Sequence, residues 1–124
     1  LFEAIRDALF EVDYELIVVD DGSSDKTVEY LKKYKDEKTK IIILNRNYGQ
    51  TTAIAAGIKE SRGDIIALMD GDLQNDPKDI PLMMEKLQKE NWDVVAGIRE
   101  NRKDSIFLRK IPSKAANFII RKTT

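Results

Sequence analysis

The segment that follows the apolar run 65–69 carries two carboxylates separated by one small residue, Asp70-Gly71-Asp72. In a tight turn their oxygens lie close enough to bind a single cation, and oxygen-only ligation suits Mg²⁺ or Mn²⁺. Gln74 adds a neutral oxygen two residues further on. An isolated Asp-x-Asp is more often a turn, but its position directly after a predicted buried strand favours a divalent-cation site formed by Asp70, Asp72 and Gln74.

A second acidic cluster, Asp20 and Asp21, follows the apolar run 16–19. Two adjacent carboxylates repel each other unless a cation or hydrogen-bond donors lie between them. A carboxylate here could accept the imide N–H of a uracil or guanine base, or the hydroxyls of a ribose. Ser24 and Asp25, which follow closely, fit the simpler role of helix caps.

The segment 45–50 leads into the N-terminus of a predicted helix, where unpaired backbone N–H groups attract anions. One face of that helix is unusually small because it carries Ala53, Ala56 and Gly57. A small face lets the backbone approach a ligand closely, and it serves equally well to pack the helix on a sheet.

Composition excludes several classes of protein. The sequence has 124 residues, no His and no Cys. This length fits one domain. The absence of His and Cys excludes a Ser-His-Asp triad, a thiolate or imidazole metal site and a disulfide scaffold. A net charge of -1 gives no global field for nucleic acid, and no apolar run approaches the roughly 20 residues of a membrane span.

Charge is unevenly distributed along the chain. Residues 99–124 carry 8 basic and 2 acidic side chains, whereas residues 1–98 carry 13 basic and 20 acidic ones. A basic segment with interleaved apolar residues suits an anionic membrane surface or the binding of phosphates. The alternative is a solvated helix whose apolar residues fold back on the domain.

The hydrophobic pattern predicts alternating strands and helices. Short apolar runs predict four strands, at residues 16–19, 41–44, 65–69 and 94–98. Apolar spacing and capping signals predict helices at residues 1–12, 26–34 and 50–61, and another with Pro81 in its first turn. Gly22 and Gly63 are expected to adopt backbone angles that other residues avoid. Consecutive βα units predict an α/β fold with a parallel sheet between two helical layers, and ligands of such sheets bind at the carboxyl ends of the strands.

Four segments, taken in order, resemble the GT-A inverting glycosyltransferases of glycosyltransferase family 2, specifically the polyprenyl-phosphate glycosyltransferases related to dolichyl-phosphate mannose synthase. The segments are VVDDGSSDKT, LNRNYGQTTAIAAGI, GDIIALMDGDLQNDPKDIP and DVVAGIRENRKDSIFLRKIPSKAANFII. The resemblance implies one partial GT-A domain over residues 1–124, with the first strand of the family's sheet lying before Leu1. Residues 1–98 would form its Rossmann-like nucleotide-sugar-binding core, and residues 99–124 a basic segment facing acceptor and membrane.

The resemblance also implies roles for individual residues. The UDP- or GDP-linked sugar would contact Asp20, Asp21, Asn47, Gly49, Asp70 and Gly71. Mg²⁺ or Mn²⁺ would bind Asp70, Asp72 and Gln74, and the catalytic residues would be Asp72, Arg99 and Arg109. Both arginines match family residues that bind acceptor and donor phosphates.

The implied reaction transfers a sugar, with inversion, to dolichyl or undecaprenyl phosphate at the cytoplasmic face of a membrane. The metal would neutralise the departing nucleoside diphosphate, while an already anionic lipid phosphate attacks without a strong base. Family members continue beyond residue 124 into further acceptor-binding sequence, so these 124 residues alone are expected to be inactive.

Three other interpretations stay open at the level of sequence. A phospho-acceptor receiver domain has a similar length and also gathers carboxylates around Mg²⁺. Its acidic pair would come earlier in the chain, however, and Gly97-Ile98-Arg99 lacks the Lys-Pro that a receiver carries after its last strand. A nucleotidyltransferase would also join a parallel sheet to a metal and a nucleoside diphosphate. The third interpretation is an inactive nucleotide-binding fragment with the same fold.

Overall fold

The computed structural model of the protein describes residues 1–72 and 74–98. The predicted α/β class with a parallel sheet is confirmed. Within the described residues the elements, in chain order, are α1 (Phe2–Ala8), β1 (Leu16–Asp20), α2 (Thr27–Tyr34), β2 (Thr39–Ile43), α3 (Gln50–Glu60) and α4 (Asp79–Lys89).

The two strands pair in parallel, in a register that runs from Leu16 opposite Thr39 to Asp20 opposite Ile43. Helix α2 connects them, so β1, α2 and β2 form a βαβ unit. The N–H of Leu44 donates to the carbonyl of Asp20 over 2.9 Å, which continues the hydrogen bonding between the two strands one residue beyond β2. The loops that follow β1 and β2 therefore begin side by side at the carboxyl edge of the sheet.

Helix α1 and its C-cap residue, Leu9, contribute the buried apolar core of the described residues. Ile5 is 3% exposed and Leu9 is 7% exposed, and their spacing of four places them on one face. The helix ends at Ala8, earlier than the predicted residue 12. The N–H of Val12 bonds the carbonyl of Leu9 over 3.0 Å, so a turn with a spacing of three replaces the last predicted helical turn.

The small face of α3 packs on the sheet. A side-chain carbon added at Gly57 would lie 3.3 Å from Cγ2 of Val19 in β1, closer than an ordinary contact. Ala53 and Ala56 are half-buried on the same helix. Of the two uses for a small face, the structure supports close packing of helix on strand.

The predicted third and fourth strands differ from the structure. Residues 65–69 and 94–98 form no ladder, and the sheet in the described part of the chain has two strands. Among residues 1–72 and 74–98, strand β1 pairs on one side only, and together with residues 65–71 it lines an apolar cavity of about 730 Å³. Apolar side chains of this unpaired segment are exposed, Leu68 to 63%.

The helix ends agree with the sequence in part. Pro81 lies in the first turn of α4 as predicted, where its missing N–H costs nothing. Gly22 has the predicted positive φ, but Gly63 does not. The chain leaves α3 through Ser61 in an extended conformation, so no left-handed residue is required there.

No helix of residues 1–72 and 74–98 combines the length and apolarity needed to cross a membrane.

Candidate functional site

Asp20, the last residue of β1, shapes the turn that follows it. Its side chain is buried, at 5% exposure, and accepts two hydrogen bonds from Ser23. The backbone N–H of Ser23 donates to Oδ2 over 3.0 Å, and the Ser23 hydroxyl donates to Oδ1. Burial of this carboxylate is therefore compensated within its own loop.

Asp21 reaches across to the loop after β2. Its Oδ1 accepts the backbone N–H of Tyr48 and its Oδ2 accepts that of Gly49, each over 2.8 Å. These bonds connect residues 27 and 28 positions apart in sequence. The repulsion expected between Asp20 and Asp21 is thus relieved by separate donors for each carboxylate, with no cation required between them.

Gly22 brings the two loops into backbone contact. Its φ is +72°, and an added side-chain carbon would lie 2.5 Å from the carbonyl carbon of Arg46 and 2.7 Å from the nitrogen of Asn47. Only glycine fits this combination of angle and distance. The loops after β1 and β2 are consequently interlocked by a carboxylate and by a glycine.

The loop after β2 carries an exposed polar and aromatic cluster. The Tyr48 hydroxyl donates to Oδ1 of Asn45 over 2.8 Å, and the guanidinium of Arg46 lies 4.7 Å from the centre of the Tyr48 ring. Asn47, predicted to face the nucleotide, is exposed in the same loop. Arg46 and Tyr48 were not among the predicted site residues, although their position on either side of Asn47 is a signal that could have identified them.

Gly49 ends this loop as the N-cap of α3. Its φ of 95° and ψ of 161° lie in a region that is essentially restricted to glycine. No atom lies within 4 Å of a side-chain carbon built at this position, so the space beside it is open. The sequence predicted this glycine at the site, and the structure places it where a side chain would be strained by backbone angle alone.

The acidic segment Asp70-Gly71-Asp72 contacts the start of α3. Nε2 of Gln50 donates to Oδ1 of Asp70 over 3.3 Å. Gln50 is the first residue of α3 and follows Gly49 directly, so this contact connects the Asp70 loop to the loop after β2. Gln50 was not among the predicted site residues, although its place directly after Gly49 is visible in the sequence.

The predicted metal ligands lie on one short exposed segment. Oδ1 of Asp72 accepts the backbone N–H of Gln74 over 3.0 Å, and Asp70, Asp72 and Gln74 are all exposed. In the described ranges, 1–72 and 74–98, no three acidic side chains converge into a group able to hold a metal ion. The donor set of two carboxylates and one carboxamide still fits Mg²⁺ or Mn²⁺ chemically, and the metal site stays a prediction.

The remaining predicted residues have mixed outcomes. Gly71 is exposed, with nothing within 4 Å of a side-chain carbon built on it. Arg99 and Arg109 lie outside the described residues. Ser24 and Asp25, predicted as helix caps, lie before the N-cap of α2, which is Lys26. Asp25 instead bonds the first residue of the helix. It accepts the N–H of Thr27 over 2.9 Å, and its bond from the Thr27 hydroxyl is the main reason that the pKa of this exposed carboxyl is lowered.

The sequence of residues 1–124 matches the family described as Glycosyl transferase family 2. Over 114 residues, 90% of the chain, it is 53% identical to the dodecaprenyl-phosphate galacturonate synthase of Rhizobium johnstonii. Over the same share of the chain it is 46% identical to the undecaprenyl-phosphate 4-deoxy-4-formamido-L-arabinose transferase of Pectobacterium carotovorum. The chain spans about a third of the length of these relatives, 34% in each case. Because the family match extends over the whole sequence and agrees with the parallel βαβ unit, the chain belongs to glycosyl transferase family 2.

Proposed function

We propose that the full-length protein transfers a sugar from a nucleoside diphosphate sugar to a polyprenyl phosphate, with inversion at the anomeric carbon and with Mg²⁺ or Mn²⁺. One observation carries the proposal. Asp21 joins the loop after β1 to the loop after β2, and Gln50 joins the start of α3 to Asp70. These contacts connect Asp21, Gly49 and Asp70 near the carboxyl ends of β1 and β2, and ligands of parallel sheets bind at that edge, which supports the proposal.

The nucleotide part of the donor would lie over the interlocked loops. They carry Asp20, Asp21, Asn47 and Gly49, and the open space beside Gly49 leaves the backbone at the start of α3 accessible. Gly71 would lie next to the diphosphate because an exposed glycine between two carboxylates lets a ligand approach the backbone.

Asp70, Asp72 and Gln74 would hold the divalent cation. Their exposure leaves room for the water ligands that Mg²⁺ and Mn²⁺ usually retain. When bound, the cation would supply neutralisation of the charge on the departing nucleoside diphosphate. Asp72 would be the catalytic member of this set, since it would help to hold the cation that neutralises this charge.

The acceptor needs little activation. A phosphate monoester is already anionic at neutral pH, so its oxygen can attack the anomeric carbon without a general base. The new bond from oxygen to carbon forms as the bond to the diphosphate breaks, and attack from the opposite face inverts the centre. Arg99 and Arg109 would bind the acceptor and donor phosphates through their planar forks.

The names of the relatives support the acceptor class. One is named for dodecaprenyl phosphate and the other for undecaprenyl phosphate. A polyprenyl acceptor places the reaction at a membrane surface, and the 8 basic side chains of residues 99–124 would favour an anionic one. We propose the cytoplasmic face, where nucleotide sugars are available.

The receiver interpretation is excluded by the family match, which leaves no part of the sequence to a receiver domain. The same match argues against a nucleotidyltransferase. An inactive nucleotide-binding fragment stays compatible with a chain that covers 34% of its relatives, and only activity separates it from the proposed enzyme.

Calorimetric titration of UDP, GDP and inorganic phosphate into the full-length protein, with and without Mn²⁺, tests the proposed site. The expected result is Mn²⁺-dependent binding of one nucleoside diphosphate and no comparable binding of phosphate. Transfer is then assayed with undecaprenyl phosphate and with donors that carry the two sugars named for the relatives, and the product is weighed by mass spectrometry. Metal-independent binding of both nucleotides, or no product from any donor, would contradict the proposal.

A further inference from the structure

We infer that Gln50 is a positioning residue for Asp70, which orients the carboxylate of that predicted ligand toward the divalent cation. The role toward the cation rests on the proposed function, whereas the contact between the two side chains does not. Gln50 belongs to neither predicted ligand set, so this role adds a residue to the site and removes none.

The donor of this contact stands on a fixed element. Gln50 is the first residue of α3, an 11-residue helix. Gly57 packs this helix against Val19 of β1. Gly49, directly before Gln50, donates its N–H to the Asp21 carboxylate over 2.8 Å. The backbone from which Gln50 extends is therefore tied both to β1 and to the loop that follows β1.

The acceptor lies on a segment that no strand pairing holds. Asp70 follows residues 65–69, which form no ladder in the described part of the chain, and it is exposed. Nε2 of Gln50 donates to Oδ1 of Asp70 over 3.3 Å, across 20 positions of sequence. Because the donor is held on the sheet and the segment of the acceptor is not paired to it, this bond restrains Asp70 more than Gln50.

Asp72 shows the same arrangement with a local donor. Its Oδ1 accepts the N–H of Gln74 over 3.0 Å, so its carboxylate is oriented within its own turn. Outer hydrogen bonds of this kind orient metal ligands, and a ligand that is already oriented loses less conformational freedom on binding. A carboxylate has about four lone-pair sites, so one accepted N–H does not prevent Asp70 from binding a cation.

Nuclear magnetic resonance of the full-length protein tests the contact without metal or nucleotide. Asp70→Ala removes the acceptor and should shift the side-chain amide resonances of Gln50. The resonances of Gln88, an exposed residue of α4, are the matched comparison and should stay in place. Unshifted Gln50 resonances would refute the contact and the inference with it.

The affinity for Mn²⁺ tests the role of the contact. Gln50→Met keeps the side-chain length and a similar helix propensity but removes the donor. In the presence of UDP or GDP, it should weaken Mn²⁺ binding about tenfold, the lower end of what the loss of an outer hydrogen-bond partner costs a metal site. Free Mn²⁺ is measured by its electron paramagnetic resonance signal. Binding of the same nucleotide without metal should change much less, and Gln88→Met should change neither quantity.

Three results of these measurements would overturn the inference. Unchanged Mn²⁺ affinity in Gln50→Met would make the contact structural only. Equal weakening of nucleotide binding with and without Mn²⁺ would assign Gln50 to the nucleotide. Should Gln50→Met not fold, Mn²⁺ bound to the unmodified protein must broaden the Gln50 side-chain resonances, since a cation on Asp70 would lie beside them. Resonances as sharp as with Mg²⁺ would place the cation elsewhere.

Failure of the proposed function gives a different result. If the unmodified protein binds neither UDP nor GDP in the presence of Mn²⁺, the proposed function fails and the role of Gln50 toward the cation fails with it. The effect of Asp70→Ala on the Gln50 resonances still decides whether the two side chains are in contact.

Discussion

Gly22 lies so close to Arg46 that a side-chain carbon on Gly22 would come within 2.5 Å of the Arg46 carbonyl carbon. The nearest atoms all belong to backbone, which cannot swing away as a flexible side chain can. The same glycine has a φ of +72°, an angle that L-residues with side chains avoid. One residue thus satisfies two independent requirements for the absence of a side chain.

Gly22→Ala should therefore destabilise the protein strongly. The left-handed angle alone costs about 1–2 kcal/mol, and the backbone overlap adds to it, so we expect a loss of more than about 2 kcal/mol in the free energy of unfolding. Gly63→Ala is the control because its φ is not positive and its added carbon would meet only the Ile65 carbonyl oxygen, at 3.6 Å. Denaturant unfolding compares the two variants, and equal losses would contradict the interlocked loops.

Asp36 makes the start of β2 sensitive to acid. A hydrogen bond from the Thr39 hydroxyl, over 2.6 Å, is the main cause that lowers the pKa of this carboxyl below 3.8, and the Arg6 guanidinium lowers it further. Nε of Arg6 lies 3.8 Å from Oδ2 of Asp36. A lowered pKa in the folded state means that the charged form stabilises the fold. This contribution is fully present above pH 3.8 and is lost as the pH falls through the lower folded-state pKa.

Asp36→Asn should accordingly flatten the decline of unfolding free energy below about pH 4. Glu37→Gln removes one carboxylate from the adjacent exposed position and should leave the decline as steep as in the unmodified protein. Urea unfolding at a series of pH values between about 3 and 6 measures both variants. If the unfolding free energy of Asp36→Asn declines as steeply as that of the unmodified protein, the pKa of Asp36 does not differ between the folded and unfolded states.

Local sequence patterns were sufficient for the parts of the site that depend on neighbouring residues. The apolar run 16–19 predicted β1 and put Asp20 at its end, and the glycine that follows has the expected positive φ. The small face of α3 was visible in the sequence, but its use, close packing of Gly57 against Val19, was decided by the structure. The strand and the angle of Gly22 are decided by the residue itself or by its near neighbours in sequence.

Contacts between distant segments could not be predicted in this way. The bonds from Tyr48 and Gly49 to Asp21 connect loops that are adjacent only after β1 and β2 have paired. Residues 65–69 have the composition of a strand, yet a strand exists only where a partner supplies the ladder, and a cavity borders β1 there. Composition sets the preference of a segment for the strand conformation, whereas pairing depends on whether another strand lies beside it.

Asp72→Asn should abolish the Mn²⁺-dependent part of nucleotide binding because it removes one anionic ligand. The carboxamide oxygen can still accept the N–H of Gln74, so the local turn should survive the change. Asp64→Asn is the control, since it removes the same charge from an exposed position outside the predicted ligands. Titration of nucleoside diphosphate with and without Mn²⁺ measures both variants, and unchanged affinity in Asp72→Asn would exclude Asp72 as a metal ligand.

Arg109→Ala should separate use of the acceptor from binding of the donor. If its guanidinium donates two parallel hydrogen bonds to the lipid phosphate, its loss removes these charge-assisted bonds and should raise the KM for polyprenyl phosphate about tenfold or more. Binding of the nucleoside diphosphate should change much less. Arg121→Ala takes the same charge from the same basic segment, and so measures the general attraction of that segment for an anionic surface. If Arg109→Ala weakens donor binding as much as it raises the KM for the acceptor, this arginine binds the diphosphate of the donor and not the lipid phosphate alone. If its effect is no larger than that of Arg121→Ala, Arg109 contributes only to the net charge of the segment.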